Sequence, residues 1–468
     1  MAFLKFNSGQ CIAAVTASLF MMVCGSCFVW YQQTSPKLLV PDPIVLMTQI
    51  KMTWTLSVLE FGVLLSPFLA GMITDCWGRK TALSFAIPAL VGGWMITMFR
   101  KNNLNAFYSL RILLGYALNF IYTVSPIYLC EIATPNHRGK LCGLMHIMWN
   151  FGYLSECLVK PLLKAGDNMH LNLILTILLF FVYLRQPESP YYLLMIRKCD
   201  QQAFDAMKKL RTTQSDETTM DELDAIKDGL ESDDITQASW WSLIATPVDR
   251  KILLITQVLT TVRYASGTIL ISYLGEKLVT NILNISNPID NHYFLIFNGF
   301  IILVTMTSVL TVDFIGRVPL LIISQIGVTA SHLVSSVIFW LHDHTNTGTD
   351  VADIYPAMSL MIYLSFFSLG LGPLTHIIQT ELFPSHNRGY GSVITMVNMT
   401  LTCFVSNSLF VALNSLFGLY ANFIFFTFVS LIGLIFTCLY LPETKCKTFS
   451  QIRASFTLPK LSSDDNKC

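Results

Sequence analysis

Eleven charged residues recur at the margins of long apolar stretches, in two copies of one arrangement. Glu131 to Gly139 reads EIATPNHRG and Glu381 to Gly389 reads ELFPSHNRG, each with Glu, a proline and then Arg-Gly at one Glu-to-Arg spacing. Ahead of them stand Asp75, Gly78, Arg79 and Lys80 in one copy and Asp313, Gly316 and Arg317 in the other. Behind them come Pro187-Glu188-Ser189 and Pro442-Glu443-Thr444. The chemistry open to these residues is ion pairing. Glu131 and Glu381 close helices, where the macrodipole disfavours a carboxylate, and Arg138 and Arg388 open helices, where it disfavours a cation, so each needs an opposite partner. Covalent chemistry is not indicated. The chain shows no glycine-rich phosphate loop before a lysine, no Cys and His cluster with metal-ligand spacing, and no Ser, His and Asp arrangement, so no enzyme, cofactor or metal is expected.

The elements that carry these charges are membrane helices. Of 468 residues 53% are apolar and only 13% charged, more apolar surface than one soluble core can bury. Windows of about twenty apolar residues give six spans in the first half: 10–31, 54–73, 81–99, 107–129, 141–163 and the short 171–184. Six more follow at 252–278, 293–312, 318–341, 356–379, 392–417 and 421–441. The paired motifs recur at offsets of 238, 250 and 255 residues, as a duplicated six-helix unit would give. The expected fold is therefore an all-α membrane protein of twelve helices in two pseudo-symmetric six-helix bundles, 1–184 and 252–441. A cytoplasmic helical linker, 185–251, joins them and a cytoplasmic tail, 442–468, follows. With both termini cytoplasmic, 21 of the 30 Lys and Arg lie on the inner side, 7 on the outer side, and Arg111 and Arg263 within spans, as the positive-inside rule requires. The first apolar run carries a single basic residue, Lys5, ahead of it, and its removal would split the paired motifs across the membrane, so it is expected to stay. The cysteines fall in spans or on the inner side, and no structural disulfide is expected. Asn284 opens an N-glycosylation sequon in a predicted outer loop, whereas the Asn398 sequon lies in a span. The charges are dispersed between apolar runs, which gives no footprint for nucleic acid. The plasma membrane is the default location.

Six motifs in this order resemble the sugar porter family of the major facilitator superfamily: Gly71 to Lys80, Pro126-x-Tyr128-x-x-Glu131, Pro187 to Pro190, Gly372-Pro373, the second elbow, and Pro442 to Lys445. The match runs over nearly the whole chain and is most similar to insect facilitated trehalose and glucose transporter-like members. The resemblance implies alternating access, with a network of Asp75, Arg79, Lys80, Glu131, Arg138, Glu188, Asp313, Arg317, Glu381, Arg388 and Glu443 closing the cytoplasmic side. The bland reading of the same charges is that they are ordinary interfacial residues.

The resemblance also implies where a sugar would bind, and there the sequence departs from the family. His146 stands for a span-five Gln. Gln257 keeps the first Gln of the span-seven pattern, with a register shifted by two residues left open, and Arg263 replaces its Asn. Asn298 approximates a span-eight Asn, and His376 replaces the span-ten Trp. An unpaired Arg at the depth of Arg263 costs at least ~2.5 kcal/mol. It is therefore either a ligand for an anionic or highly polar substrate or the partner of Glu60 or Glu156, the carboxylates within spans. His146 and His376 could titrate near neutral pH, although a neutral histidine bonded to a neighbour is the commoner state. Phe366 and Phe367 read as packing residues. Span one carries no carboxylate, which favours uniport over proton coupling. The expected solute is a hexose or trehalose-like sugar. The alternatives are another polar or anionic solute, or a nutrient receptor that binds without transport.

Overall fold

The computed structural model describes residues 8–38, 49–99, 104–159, 168–232, 239–268, 271, 292–344 and 350–457. The Asn284 sequon lies outside them. Among the described residues the regular structure is helical, with no strand. The first six helices are α1 (Ser8–Leu38), α2 (Gln49–Trp77), α3 (Arg79–Phe99), α4 (Leu104–Ile132), α5 (Arg138–Val159) and α6 (Asn168–Tyr183). A short helical turn (Pro190–Tyr192) and a π turn (Leu193–Arg197) lead to α7 (Asp200–Leu210) and α8 (Asp216–Ser232). The second set is α9 (Pro247–Ala265), α10 (His292–Ile315), α11 (Arg317–His344), α12 (Asp350–Phe366), α13 (Gly372–Leu382), α14 (Arg388–Phe417) and α15 (Leu419–Tyr440). The tail helix is α16 (Phe449–Thr457). A π turn, Phe367–Leu371, joins α12 to α13 in one bent rod, so the second set also makes six membrane helices.

Eight described helices are long and apolar enough to cross a bilayer by length and composition. Helix α6 is shorter, and α3, α5 and α9 fall outside that criterion while occupying the same bundles. The large side chains exposed around the bundles are apolar, such as Leu303, Leu310, Phe404, Phe428 and Ile435, as a lipid-facing belt requires.

The break between consecutive helices is built the same way in both halves. Gly78 and Gly316 stop α2 and α10 with φ of 100° and 108°, a conformation a side chain would strain. A methyl group on Gly78 would also run into the Glu188 carboxylate, and one on Gly316 would sit 2.8 Å from Glu443 Oε2. Helix α9 starts on Thr246, whose hydroxyl accepts from the Asp249 amide at 3.1 Å, with Pro247 in its first turn. The bend in the α12–α13 rod sits before Pro373, which offers no N–H to the ladder.

Within the first bundle α2 packs on α4, α1 on α5 and α3 on α4. In the second, α11 packs on α15 and α9 on α14. Between the bundles α2 runs along α14 and α5 along α10, a reciprocal pairing of equivalent helices. The linker helices form a small core of their own around Tyr192, Leu194, Ala203, Met207 and Leu223. Arg211 ties that core to the first bundle, pairing with Glu222 at 2.8 Å and donating to Gln10 Oε1 at 2.9 Å and to the Ile132 carbonyl at 3.2 Å.

Candidate functional site

On the linker side, the paired motifs converge on two equivalent carboxylates. Glu131 ends α4 and accepts from Arg79 Nε at 2.9 Å, from Arg79 Nη2 at 3.2 Å and from the Ser189 hydroxyl. Glu381 ends α13 and accepts from Arg317 Nη2 at 3.0 Å and from the Thr444 hydroxyl at 2.6 Å. Glu188 and Glu443 play one part in the two halves. Glu188 accepts from the Arg79 and Lys80 amides at 2.9 and 3.0 Å, and Glu443 from the Arg317 and Val318 amides at 3.0 Å, so each carboxylate caps the helix that follows the glycine turn. Burial pushes the Glu188 carboxyl above its ordinary range, against the pull of those amides and of Arg79.

On this side Arg388 and Asp313 of the second bundle each bond to the first. Arg388 Nη1 donates to Glu131 Oε1 at 3.1 Å, with both side chains fully buried. The Lys140 amide at the start of α5 donates to Asp313 Oδ2 at 3.1 Å, and Asp313 also pairs with Arg317 at 3.0 Å. Asp75 has the matching position at the start of α14, where a methyl group on Gly389 would meet both its carboxylate oxygens at 2.9 Å. Each half thus places an aspartate against the N-terminus of a helix in the other half, where the dipole favours it. The tail closes the arrangement. Phe449 sits with its ring 4.0 Å from the Arg138 guanidinium and 4.1 Å from that of Arg388, and Tyr191 meets it edge-on at 5.5 Å.

Four members of the expected network take parts other than the one their charge suggests. Lys80 engages Glu188 through its backbone N–H. Arg138 donates to the Lys447 carbonyl at 3.2 Å and stacks on Phe449, because the carboxylate of its own elbow is already held by Arg79 and Arg388. Glu188 and Glu443 bind amides. Ser189, Thr444 and Phe449 went unassigned in the sequence, although the Pro-Glu-Ser and Pro-Glu-Thr repeat was a signal for the two hydroxyls.

Between the bundles lies a cavity of about 270 Å³. Tyr122 comes to it from α4, His146 and Asn150 from α5, Arg263 from α9, Asn298 from α10 and Phe367 from the π turn. Asn150 Nδ2 donates to Thr305 Oγ1 at 3.1 Å across the bundle boundary. Of the expected substrate residues, His146, Arg263 and Asn298 line this space. His376 lies beside it, stacked on His146 with ring centres 5.6 Å apart and meeting Tyr122 at 5.0 Å. Gln257 does not reach the cavity. It donates to Thr395 Oγ1 at 3.1 Å on α14 and lines a separate groove with Asn398, because the helix turns Arg263 and not Gln257 inward. Arg263 pairs with neither carboxylate expected of it. Its Nη1 donates to Thr375 Oγ1 at 2.7 Å, while Glu156 accepts from Ser26 at 3.0 Å within the first bundle. Glu60 reaches the same cavity from α2 without an ion pair to Arg263. Phe367, expected to be packing, faces the cavity and lies 6.0 Å from the Arg263 guanidinium. Phe366 packs against Gly327 as expected.

The family of this architecture is given by sequence. A family model described as "Sugar (and other) transporter" matches residues 1–456. The chain belongs to that transporter family. Sugar transporters of this family include the mouse (Mus musculus) solute carrier family 2, facilitated glucose transporter member 6, 27% identical over 96% of this chain and 92% of that protein. The major myo-inositol transporter IolT of Bacillus subtilis is 25% identical over 86% of this chain and 84% of its own. The fold matches that of the major facilitator superfamily proton:xylose symporter XylE bound to 6-bromo-6-deoxy-D-glucose, with a TM-score of 0.82, 18% identity, and 96% and 99% of the two chains covered. The chain is thus a membrane transporter of the sugar porter kind rather than an enzyme, with twelve helices in two bundles.

Proposed function

We propose that the protein carries a sugar down its gradient by alternating access, the two bundles rocking about the central cavity. One observation carries this reading: a cavity sits on the bundle boundary, and on the linker side a buried ion pair joins the bundles through Arg388 and Glu131. In this reading the structure is closed on the linker side, and the duplicated network is a gate that breaks when the cavity opens there. The Lys and Arg bias supports a cytoplasmic linker side with both termini there, and the plasma membrane is the default location. Described α1 carries no acidic residue, which supports uniport. The solutes for which the similar proteins are named, glucose, myo-inositol and xylose, support a polyhydroxylated solute.

Uptake of radiolabelled glucose and trehalose into oocytes expressing the chain tests this, with Arg388→Ala as the gate control. Saturable uptake that the variant reduces is the expected result. Absence of uptake of either sugar with the protein at the cell surface would reject the neutral-sugar assignment.

A further inference from the structure

The wall of the cavity carries a cation that has no counterion among the described residues. Among the described residues lining the space, Arg263 is the cation, and it is 5% exposed. Its hydrogen-bond partners are the neutral hydroxyls of Thr375 and Tyr122. Among the described residues its Nε has no acceptor and no carboxylate pairs with it. The guanidinium lies 5.0 Å from the Tyr264 ring and 6.0 Å from that of Phe367, so aromatic faces hold it in place without neutralising it. His146 adds an unsatisfied ring nitrogen, Nε2, to the same cavity. A fixed planar fork with an unused N–H is the geometry that receives a carboxylate.

Glu60 bears on where that carboxylate can go. It enters the cavity from α2, on the first bundle, whereas Arg263 enters from α9, on the second. Cys403 lines the cavity with them. A solute with an anion at one end and hydroxyls at the other fits this polarity: its carboxylate turned to Arg263 and a hydroxyl donating toward Glu60. A neutral sugar satisfies the second wall and leaves the first uncompensated.

We propose that the transported solute is a sugar acid, a polyhydroxylated monocarboxylate that Arg263 receives through its guanidinium. This rests on the transport reading above and narrows its substrate class. The test uses the purified full chain in proteoliposomes, with labelled glucuronate and labelled glucose as probes at pH 7.4. Expected are saturable glucuronate uptake, competition by unlabelled glucose at least about tenfold weaker than by glucuronate, and a KM for glucuronate raised about tenfold or more by Arg263→Gln. Arg263→Lys keeps the charge without the fork and should fall between. Saturable glucose uptake without glucuronate uptake would overturn the sugar-acid proposal and leave the sugar facilitator standing. Glucuronate uptake with an unchanged KM in Arg263→Gln would overturn the role of Arg263. Uptake of neither probe would overturn both readings. Should Arg263→Gln fail to fold by size-exclusion chromatography, the wild-type preference between the two probes and the Arg263→Lys KM decide the matter.

Discussion

Arg388→Ala removes the side-chain ion pair that joins the bundles on the linker side. Glu131 keeps both Arg79 nitrogens and the Ser189 hydroxyl after the change, so its charge is not orphaned. The loss is therefore that of one charge-assisted hydrogen bond, about 1.5–3 kcal/mol, not the roughly 3–5 kcal/mol that follows when a buried charge loses its only partner. At 1.4 kcal/mol per tenfold, the ratio of linker-closed to linker-open protein should fall by about 10- to 150-fold. Hydrogen exchange measured by mass spectrometry reads this directly: amides at the ends of α4, α5, α13 and α14 should exchange faster while those in α11 and α15 stay unchanged. Arg317→Ala is the control, since its partners Asp313 and Glu381 both lie in the second bundle. Glu131→Gln combined with Arg388→Ala should cost less than the sum of the two single changes, because the two groups share one bond. Additive effects in that cycle, or unchanged elbow exchange in a well-folded Arg388→Ala protein, would refute the gate.

Other substitutions separate the parts of the network. Glu188→Gln keeps an acceptor for the Arg79 and Lys80 amides, and because burial already holds the carboxyl above its ordinary range, it should cost less than about 1.5 kcal/mol in thermal unfolding. Glu188→Ala orphans both amides and should cost about 1–3 kcal/mol for each; equal melting temperatures for the two variants would contradict the capping role. Gly139→Ala drives a methyl group into Asp313 and Val312 across the bundle boundary, an overpacking of about 1–3 kcal/mol, and should loosen the same amides as Arg388→Ala. Wild-type exchange in that variant would show that the contact yields freely. Phe449→Ala removes the ring between Arg138 and Arg388, about 0.5–2 kcal/mol for each cation–π contact at that depth. It should raise exchange in α16 and at both elbows together, and a rise confined to α16 would leave the tail no part in closure.

The network was legible from sequence, and the cavity was legible only in part, for a physical reason. Charges at helix ends are placed by local features: the left-handed glycine at 78 or 316, the Pro-Glu that follows the last helix of each half, and the dipole that makes a terminal Glu or Arg demand a partner. Duplication then repeats every constraint, so Asp75 and Asp313, or Glu131 and Glu381, announce each other. What that logic missed was chemistry without charge. The Ser189 and Thr444 hydroxyls complete the two carboxylates, and Phe449 occupies the space between two arginines because Arg138 has no acidic group left to meet.

Cavity residues depend instead on how each helix is rotated, which an apolar window does not report. Gln257 and Arg263 are six residues apart on α9, about 240° around the axis, so one cannot face the solute if the other does. Arg263, Thr260 and Thr256 share a face at helical spacing and are all buried, which turns Gln257 toward α14. The π turn acts likewise on α12. It adds a residue to the turn before Gly372 and swings Phe367 inward while Phe366 stays against Gly327. The two departures from the sequence expectation are thus one effect seen on two helices, and together they bring an aromatic face and an unpaired guanidinium to one wall of the cavity. That pairing orients the cation without discharging it, so the charge balance of the transported complex falls to the solute.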